Sequence, residues 1–325
     1  MKRSALRLLA CPTCRGQLML AADAEAEGEV MSGALRCPSC RRDYPVRRGV
    51  PRFVDSEAYA SSFGFEWNRF CRVQLDSANG TRQSEHALLA STGWTAADYQ
   101  GRVVLDAGVG SGRYAEVAAA KGAEVVGVDL TGAVDAAFDN IGRREGIHLA
   151  QADIFALPFR PGTFDLAYSI GVLHHTPDTR AAFEKVVETV KPDGDMAVYI
   201  YARYGLRSHL SDLIRKVSTR LPVRLMLGLS AAAVPAYYAY RVPVLGTVLN
   251  TICPISLHSD WRWRWLDTFD WYTPRYQWKL LYPEVHRWFR ENGFDQIEVF
   301  DDPIRMRGRK SSPGKTAIGV RTATA

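Results

Sequence analysis

Between residues 101 and 200 short apolar runs alternate with amphipathic stretches at regular intervals. Arg102–Leu105, Glu124–Val128, Ile147–Gln151, Phe164–Ile170 and Asp195–Tyr201 read as strands. Tyr114–Lys121, Ala133–Arg143 and Thr179–Val190 carry the period of helices packed on one side. Strands that alternate with helices in this way predict a parallel sheet covered on both faces, an α/β doubly wound fold. The flanks behave differently. Residues 56–100 mix Phe63, Phe65, Trp67, Phe70 and Leu75 with polar positions and then turn helical around Ala87–Leu89, which predicts a helical connector. Residues 203–272 form an inserted cap whose segments Leu225–Tyr240 and Val242–Ser259 are uncharged apart from the Arg241 between them. Pro235, Pro243, Gly246, Asn250 and Pro254 interrupt these segments, so a membrane span is not expected. The apolar face is expected to pack on the main domain, with peripheral membrane contact as the other reading. In residues 273–325, Leu281–Asn292 reads as an amphipathic helix, followed by strands at Gln296–Phe300 and Thr316–Val320.

Residues 1–55 are a unit of another kind. Cys11-Pro-Thr-Cys14 and Cys37-Pro-Ser-Cys40 are two CxxC pairs separated by 22 residues. Four thiolates suit a closed tetrahedral Zn²⁺ site, because each CxxC turn can span one edge of the tetrahedron. Two disulfides or free thiols are the other readings. The run Leu8-Leu9-Ala10-Cys11 imitates a lipoprotein signal, but Arg7 breaks an apolar stretch already too short for export. A reducing, cytoplasmic setting is therefore expected, in which paired cysteines hold metal. Chelation of that metal should unfold residues 1–55 and spare the main domain.

The candidate chemistry lies in Val103-Val-Leu-Asp106-Ala-Gly108-Val-Gly110-Ser-Gly112-Arg. A strand enters a glycine turn and then a helix, which lets backbone approach a ligand at a helix N-terminus. Acids end three successive strands: Asp106, Asp129 and Asp153. Doubly wound folds bind ligands at the carboxyl ends of their strands, and an acid after the second strand is placed to take ribose hydroxyls. A helix cap explains any one of these acids alone. It explains all three in register less well.

Taken together, residues 101–201 resemble a class I S-adenosylmethionine-dependent methyltransferase of the methyltransferase domain 11 type. The shared features are Asp106–Gly112, Asp129, Asp153, Leu173-His174-His175 and Lys191-Pro-Asp-Gly194, with Asp193 where the family has glycine. Leu8–Val54 resembles the Trm112-like zinc-ribbon family through its CPxC pairs and the ending Tyr44-Pro-Val…Gly49-Val-Pro51. The resemblance implies a Rossmann-like, seven-stranded sheet completed by antiparallel C-terminal strands. It implies that Gly108, Gly110 and Gly112 pass beneath the methionyl part of S-adenosylmethionine, with Asp106 orienting its amino group. Asp129 would take the ribose, Asp153 the adenine amino group, and Ile154 would pack on adenine. A nicotinamide dinucleotide is the competing cofactor, but it leaves Asp153 and the histidine pair unexplained.

His174 and His175 stand where a general base would, although a packing role serves them equally. The acceptor pocket is expected from Phe63–Asp76 and from Trp261-Arg-Trp-Arg-Trp265 through Trp271. On a strand, alternate tryptophans would share one face, and Arg262, Arg264 or Arg275 could hold an anionic substrate. The motifs FxWNRF…QLDS (Phe65–Phe70, Gln74–Ser77) and DTFDWYTPRYQ (Asp267–Gln277) resemble those of bacterial proteins that join the two domains. That likeness supplies no substrate. A net charge of +6 and a pI near 9.0 would accommodate an anionic partner without requiring one. The leading expectation is methyl transfer to a small-molecule, glycan or lipid-linked acceptor. The alternative is an RNA methyltransferase that uses the ribbon to hold substrate or a partner protein, and a third reading is a non-catalytic partner-binding protein.

Overall fold

The computed structural model of the chain describes residues 1–55, 58–203, 205–301 and 304–312. The ribbon is a four-stranded antiparallel sheet of β1 (Met19–Ala26), β2 (Glu29–Arg36), β3 (Asp43–Arg47) and β4 (Val50–Pro51). Helices α1 (Ser61–Arg69), α2 (Asp76–Asn79), α3 (Gln83–Thr92) and α4 (Ala96–Tyr99) follow. The core is then β5 (Val103–Ala107), α5 (Arg113–Ala120), β6 (Glu124–Asp129), α6 (Ala133–Ala137), β7 (Ile147–Gln151), β8 (Phe164–Ile170), α7 (Thr179–Thr189) and β9 (Val190–Ile200). The cap is wholly helical: α8 (Gly205–Ser218), α9 (Val223–Ser230), α10 (Ala233–Tyr240), α11 (Leu245–Ile252) and α12 (Trp261–Tyr272). The chain closes on α13 (Tyr282–Glu291), β10 (Phe294–Phe300) and β11 (Ile304–Lys310).

The seven-stranded sheet runs β10-β11-β9-β8-β5-β6-β7. Strands β5 to β9 are parallel, and β11 pairs antiparallel with β9 and β10. The strand order reverses at β5, where a doubly wound sheet opens its ligand crevice. Strand alternation sorts the core. Val104 and Val125 share one core cluster with residues of α3, α5 and α6, whereas Leu105, Ala107, Val126 and Val128 share the other with residues of α7, α13 and the ribbon. Asp193 has φ 57°, the left-handed geometry that its glycine counterpart takes freely and that Asp tolerates better than most residues.

Several expectations change. The strand expected at Thr316–Val320 lies outside the described residues, and Ile304–Lys310 supplies that position in the sheet. The tryptophan run is helix α12, not a strand, because Asp260 caps it by accepting hydrogen bonds from the backbone NH groups of Arg262 and Trp263. Nor does the cap bury all its apolar surface. Leu225, Leu229, Tyr238, Val244, Val248 and Ile252 are each about half exposed or more. Among the described residues no helix is long and apolar enough to cross a membrane.

The ribbon does not stand apart. Met1, Leu8, Leu9, Leu18, Val30, Leu35 and Tyr44 belong to one continuous core with Ile154, Leu157, Phe159, Phe164 and Phe183. The backbone joins as well: Phe53 N donates to Gln151 O at 2.8 Å and Ala10 N to Pro158 O at 2.8 Å. Arg52 pairs with Asp135 at 2.7 Å, and Arg15 donates to the carbonyls of Leu157 and Phe159. A ribbon of this size has little core of its own, so it borrows the flank of the larger sheet.

Candidate functional site

The four cysteine sulfurs lie within 4.8 Å of one another, with Cys11–Cys40 at 3.5 Å and Cys14–Cys37 at 3.4 Å. Bonds of about 2.3 Å in a zinc tetrahedron set sulfurs about 3.8 Å apart, whereas a disulfide needs about 2.05 Å. The donor set fits a closed structural Zn²⁺ site and excludes the disulfide reading.

The second site is a cavity of about 350 Å³ at the carboxyl ends of β5, β6 and β8, roofed by α1 and α12. Gly108, Val109 and Gly110 form its floor. Gly108 has φ 98°, and a Cβ there would lie 2.3 Å from Val172 Cγ2. Gly110 has φ 52°, and a Cβ there would stand 3.2 Å from Trp67 Cε2. Both positions need glycine for conformation and for space. Gly112, at φ 96°, is the N-cap of α5, lies behind the floor and faces Ile141.

The three strand-end acids are placed differently. Asp129 is on the wall, where it accepts from Gly110 N at 3.0 Å and from Thr131 N and Oγ1 at 3.0 and 2.9 Å. It thereby ties the glycine loop to the end of β6. Asp106 lies beneath the loop, buried, and accepts from Tyr168 OH at 3.0 Å. Burial pushes it up to about 7, with the tyrosine hydrogen bond opposing. Asp153 accepts from Phe155 N and caps a short 3₁₀ turn, while its neighbours Ala152 and Ile154 line the cavity.

The histidines also divide. His175 lines the cavity and its Nδ1–H donates to Tyr276 O at 2.8 Å. Desolvation holds it down to about 3, so it is neutral and weakly basic at neutral pH. His174 is fully buried with its ring 4.0 Å from that of Tyr201, and burial holds it well below the usual histidine range. Trp278 fixes this turn by donating to the carbonyls of His174 and Thr176. The geometry favours packing over proton transfer for His174.

The far wall is acidic. Glu66 and Trp67 from α1, Gln74, and Trp263, Asp267, Asp270 and Trp271 from α12 face the glycine floor. Asp267 accepts from Gln74 Nε2 at 3.2 Å and from Ser256 Oγ at 3.0 Å. Glu66 is 1% exposed, and neither carboxylate oxygen has a hydrogen-bond partner among the described residues. Burial raises all three acids, Asp267 to about 6 and Asp270 to about 7, and each is also raised or opposed by its neighbours: Asp267 and Asp270 disfavour charge on Glu66, while Arg113 favours it. The three arginines expected to hold an anionic substrate do not line this cavity. Arg264 is buried and donates to the carbonyls of Val234, His258 and Ser259; Arg262 is exposed beside Trp261; Arg275 lines a neighbouring cleft. Sequence reasoning named both segments but overlooked their acids. The only signal was their place inside the two quoted motifs.

Asp270 allows a test. Its folded-state proton affinity lies above that of the unfolded chain, so folding takes up a proton between about pH 4 and 7. The stability this group contributes is fully present below about 4 and is lost as pH rises through about 7. The groups facing it are Asp267, Arg215, Arg113 and Glu66. Asp270→Asn should therefore raise the unfolding temperature more at pH 8 than at pH 5. An equal shift at both values would remove the assignment.

Residues 105–198 match the methyltransferase domain family, and residues 2–49 match the Trm112p-like family. The probable tRNA methyltransferase 9B of Mus musculus is 32% identical over 105 residues, 31% of this chain and 22% of that protein. The ubiquinone biosynthesis O-methyltransferase of Aromatoleum aromaticum is 33% identical over 100 residues, 30% of this chain and 42% of its own. A solved S-adenosylmethionine-dependent methyltransferase from Mesorhizobium loti shares 30% identity over 36% of this chain and 53% of that one, with a TM-score of 0.32. The chain spans about a quarter of the length of the first curated relatives it matches. With the strand order and the glycine floor, the two family matches identify residues 105–198 as a class I S-adenosylmethionine-dependent methyltransferase domain of the methyltransferase domain 11 type, joined in one chain to an N-terminal Trm112-like domain.

Proposed function

We propose that this protein transfers a methyl group from S-adenosylmethionine to a small or lipid-linked acceptor held between the glycine floor and the cap. One observation supports this above others: a single cavity runs from Gly108–Gly110 and Asp129 to the wall of Glu66, Asp267 and Asp270. The cofactor would rest on the glycine floor with its ribose at Asp129, and it supplies an electrophilic methyl on an excellent leaving group. The protein's task is then alignment and exclusion of water. Trp67 and α12 supply the roof for both. The ribbon's apolar face is taken up by the methyltransferase core, which supports an internal stabilising role for it. The outward apolar residues of α9–α11, within a stretch free of Asp and Glu from 213 to 259, support acceptor delivery from an anionic membrane surface.

The test is incubation of the pure protein with methyl-labelled S-adenosylmethionine and three separate cell fractions: water-soluble metabolites, lipids and RNA. Label in metabolites or lipids is the expected result, and label confined to RNA would replace this reading with the nucleic-acid one. Asp129→Ala should weaken cofactor binding about 10–100-fold in calorimetric titration, the loss of one or two charge-assisted hydrogen bonds. Unchanged affinity would remove the ribose assignment.

A further inference from the structure

From the cavity's far wall we infer that the acceptor is a cation, an amine held by Glu66, Asp267 and Asp270 beneath the rings of Trp67, Trp263 and Trp271. The inference rests on the methyltransferase reading and names the substrate class of that same site. Four carboxylates line the cavity, Glu66, Asp129, Asp267 and Asp270, and Arg113 is the one lysine or arginine among the described lining residues. S-adenosylmethionine brings one net positive charge. Both histidines of the nearby turn are held neutral by burial, so they add none. Arg215, the next guanidinium, is committed to the carbonyls of Trp271 and Pro274. Counted with every acid ionised and cofactor bound, the walls would be two negative charges in excess. A buried carboxylate without a counter-charge costs several kcal/mol unless it takes a proton or a cationic partner.

Glu66 identifies the point where that partner sits. It is almost wholly buried, it lines the cavity, and both its oxygens lack a donor among the described residues. Gln74, also buried, has its Nε2 on Asp267 and its Oε1 without a partner among the described residues. An ammonium brings up to three N–H donors to such unpartnered oxygens, where a neutral hydroxyl brings one. The aromatic roof favours the same occupant, since indole faces attract cations. The wall also prepares the nitrogen: an ammonium that gives its proton to a carboxylate there leaves a neutral amine whose lone pair is the nucleophile. The carboxylate becomes a carboxylic acid, and its buried setting favours that form.

Both quoted motifs converge here. FEWNRF contributes Glu66 and Trp67, QLDS contributes Gln74, and DTFDW contributes Asp267, Asp270 and Trp271.

The experiment uses the full chain with and without saturating S-adenosylhomocysteine. Benzylamine and benzyl alcohol, similar in shape and different in charge at neutral pH, are titrated by calorimetry. Benzylamine should bind at least tenfold more tightly to the loaded protein. Glu66→Gln and Asp270→Asn should each reduce that preference tenfold or more while leaving S-adenosylhomocysteine affinity within about threefold. Equal binding of the two probes, binding of neither, or a preference that survives both substitutions would overturn the inference. The wild-type comparison decides the matter even where a variant fails to fold. Failure of S-adenosylhomocysteine to bind would sink the cofactor reading instead, and the benzylamine preference of the unloaded protein would still report on the acidic wall.

Discussion

Cys37→Ser is expected to lower the unfolding temperature of the entire chain in one transition, by on the order of 10 °C. Structural zinc supplies roughly 10–16 kcal/mol of apparent binding free energy to small domains, and loss of one thiolate forfeits a large part of it. For a chain of this length each kcal/mol moves the midpoint by about 1–2 °C. The transition should be shared because the apolar core passes without a break from Leu8, Leu9 and Leu35 into Phe159, Phe164 and Phe183. Unfolding the ribbon would strip that face of the sheet and leave Arg15 and Arg52 without their partners on the methyltransferase domain. This departs from the separable ribbon that the cysteine spacing alone suggests. Scanning calorimetry with zinc analysis decides between them. A small early transition, with the main one unmoved, would show the ribbon to be autonomous.

Gly108→Ala is expected to reduce S-adenosylmethionine affinity by more than a hundredfold or to prevent stable folding of the loop. Two costs combine. A left-handed φ costs a residue with a Cβ about 1–2 kcal/mol, and the new methyl would overlap Val172 Cγ2 at 2.3 Å, an overpacking worth about 1–3 kcal/mol. The double variant with Val172→Ala relieves the overlap and keeps the backbone strain, so it should recover only part of the loss. Full recovery would mean that space alone selects glycine here. No loss in the single variant would mean that the floor can shift, and the cofactor assignment of this loop would fail with it.

The parallel core was legible in the sequence because the signals that define it are local. An apolar strand such as Val103–Ala107 must be covered on both faces, and the turn after it admits only residues that tolerate positive φ. The two CxxC turns were equally local. The strand Ile304–Lys310 was not, because Arg305, Arg307, Arg309 and Lys310 leave only Ile304 and Met306 as its apolar signal. On β11 Ile304, Met306 and Gly308 turn inward while Arg307 reaches Glu298 and the carbonyl of Gly93. The tryptophan run misled for a related reason. Alternation over five residues suits a strand, but the helix is decided by Asp260 and by the twelve residues it starts.

What the residue order determined alone was the doubly wound sheet, the glycine turn with Asp129 opposite it, and four thiolates at zinc spacing. Each depends on neighbours within a few turns of chain. What only the tertiary structure decided was that Glu66 and Gln74 meet Asp267 and Asp270 across about two hundred residues, and that the ribbon and the catalytic domain share one core. Charge and apolar surface act through space, so groups distant in sequence acquire their meaning once folding has removed water from between them.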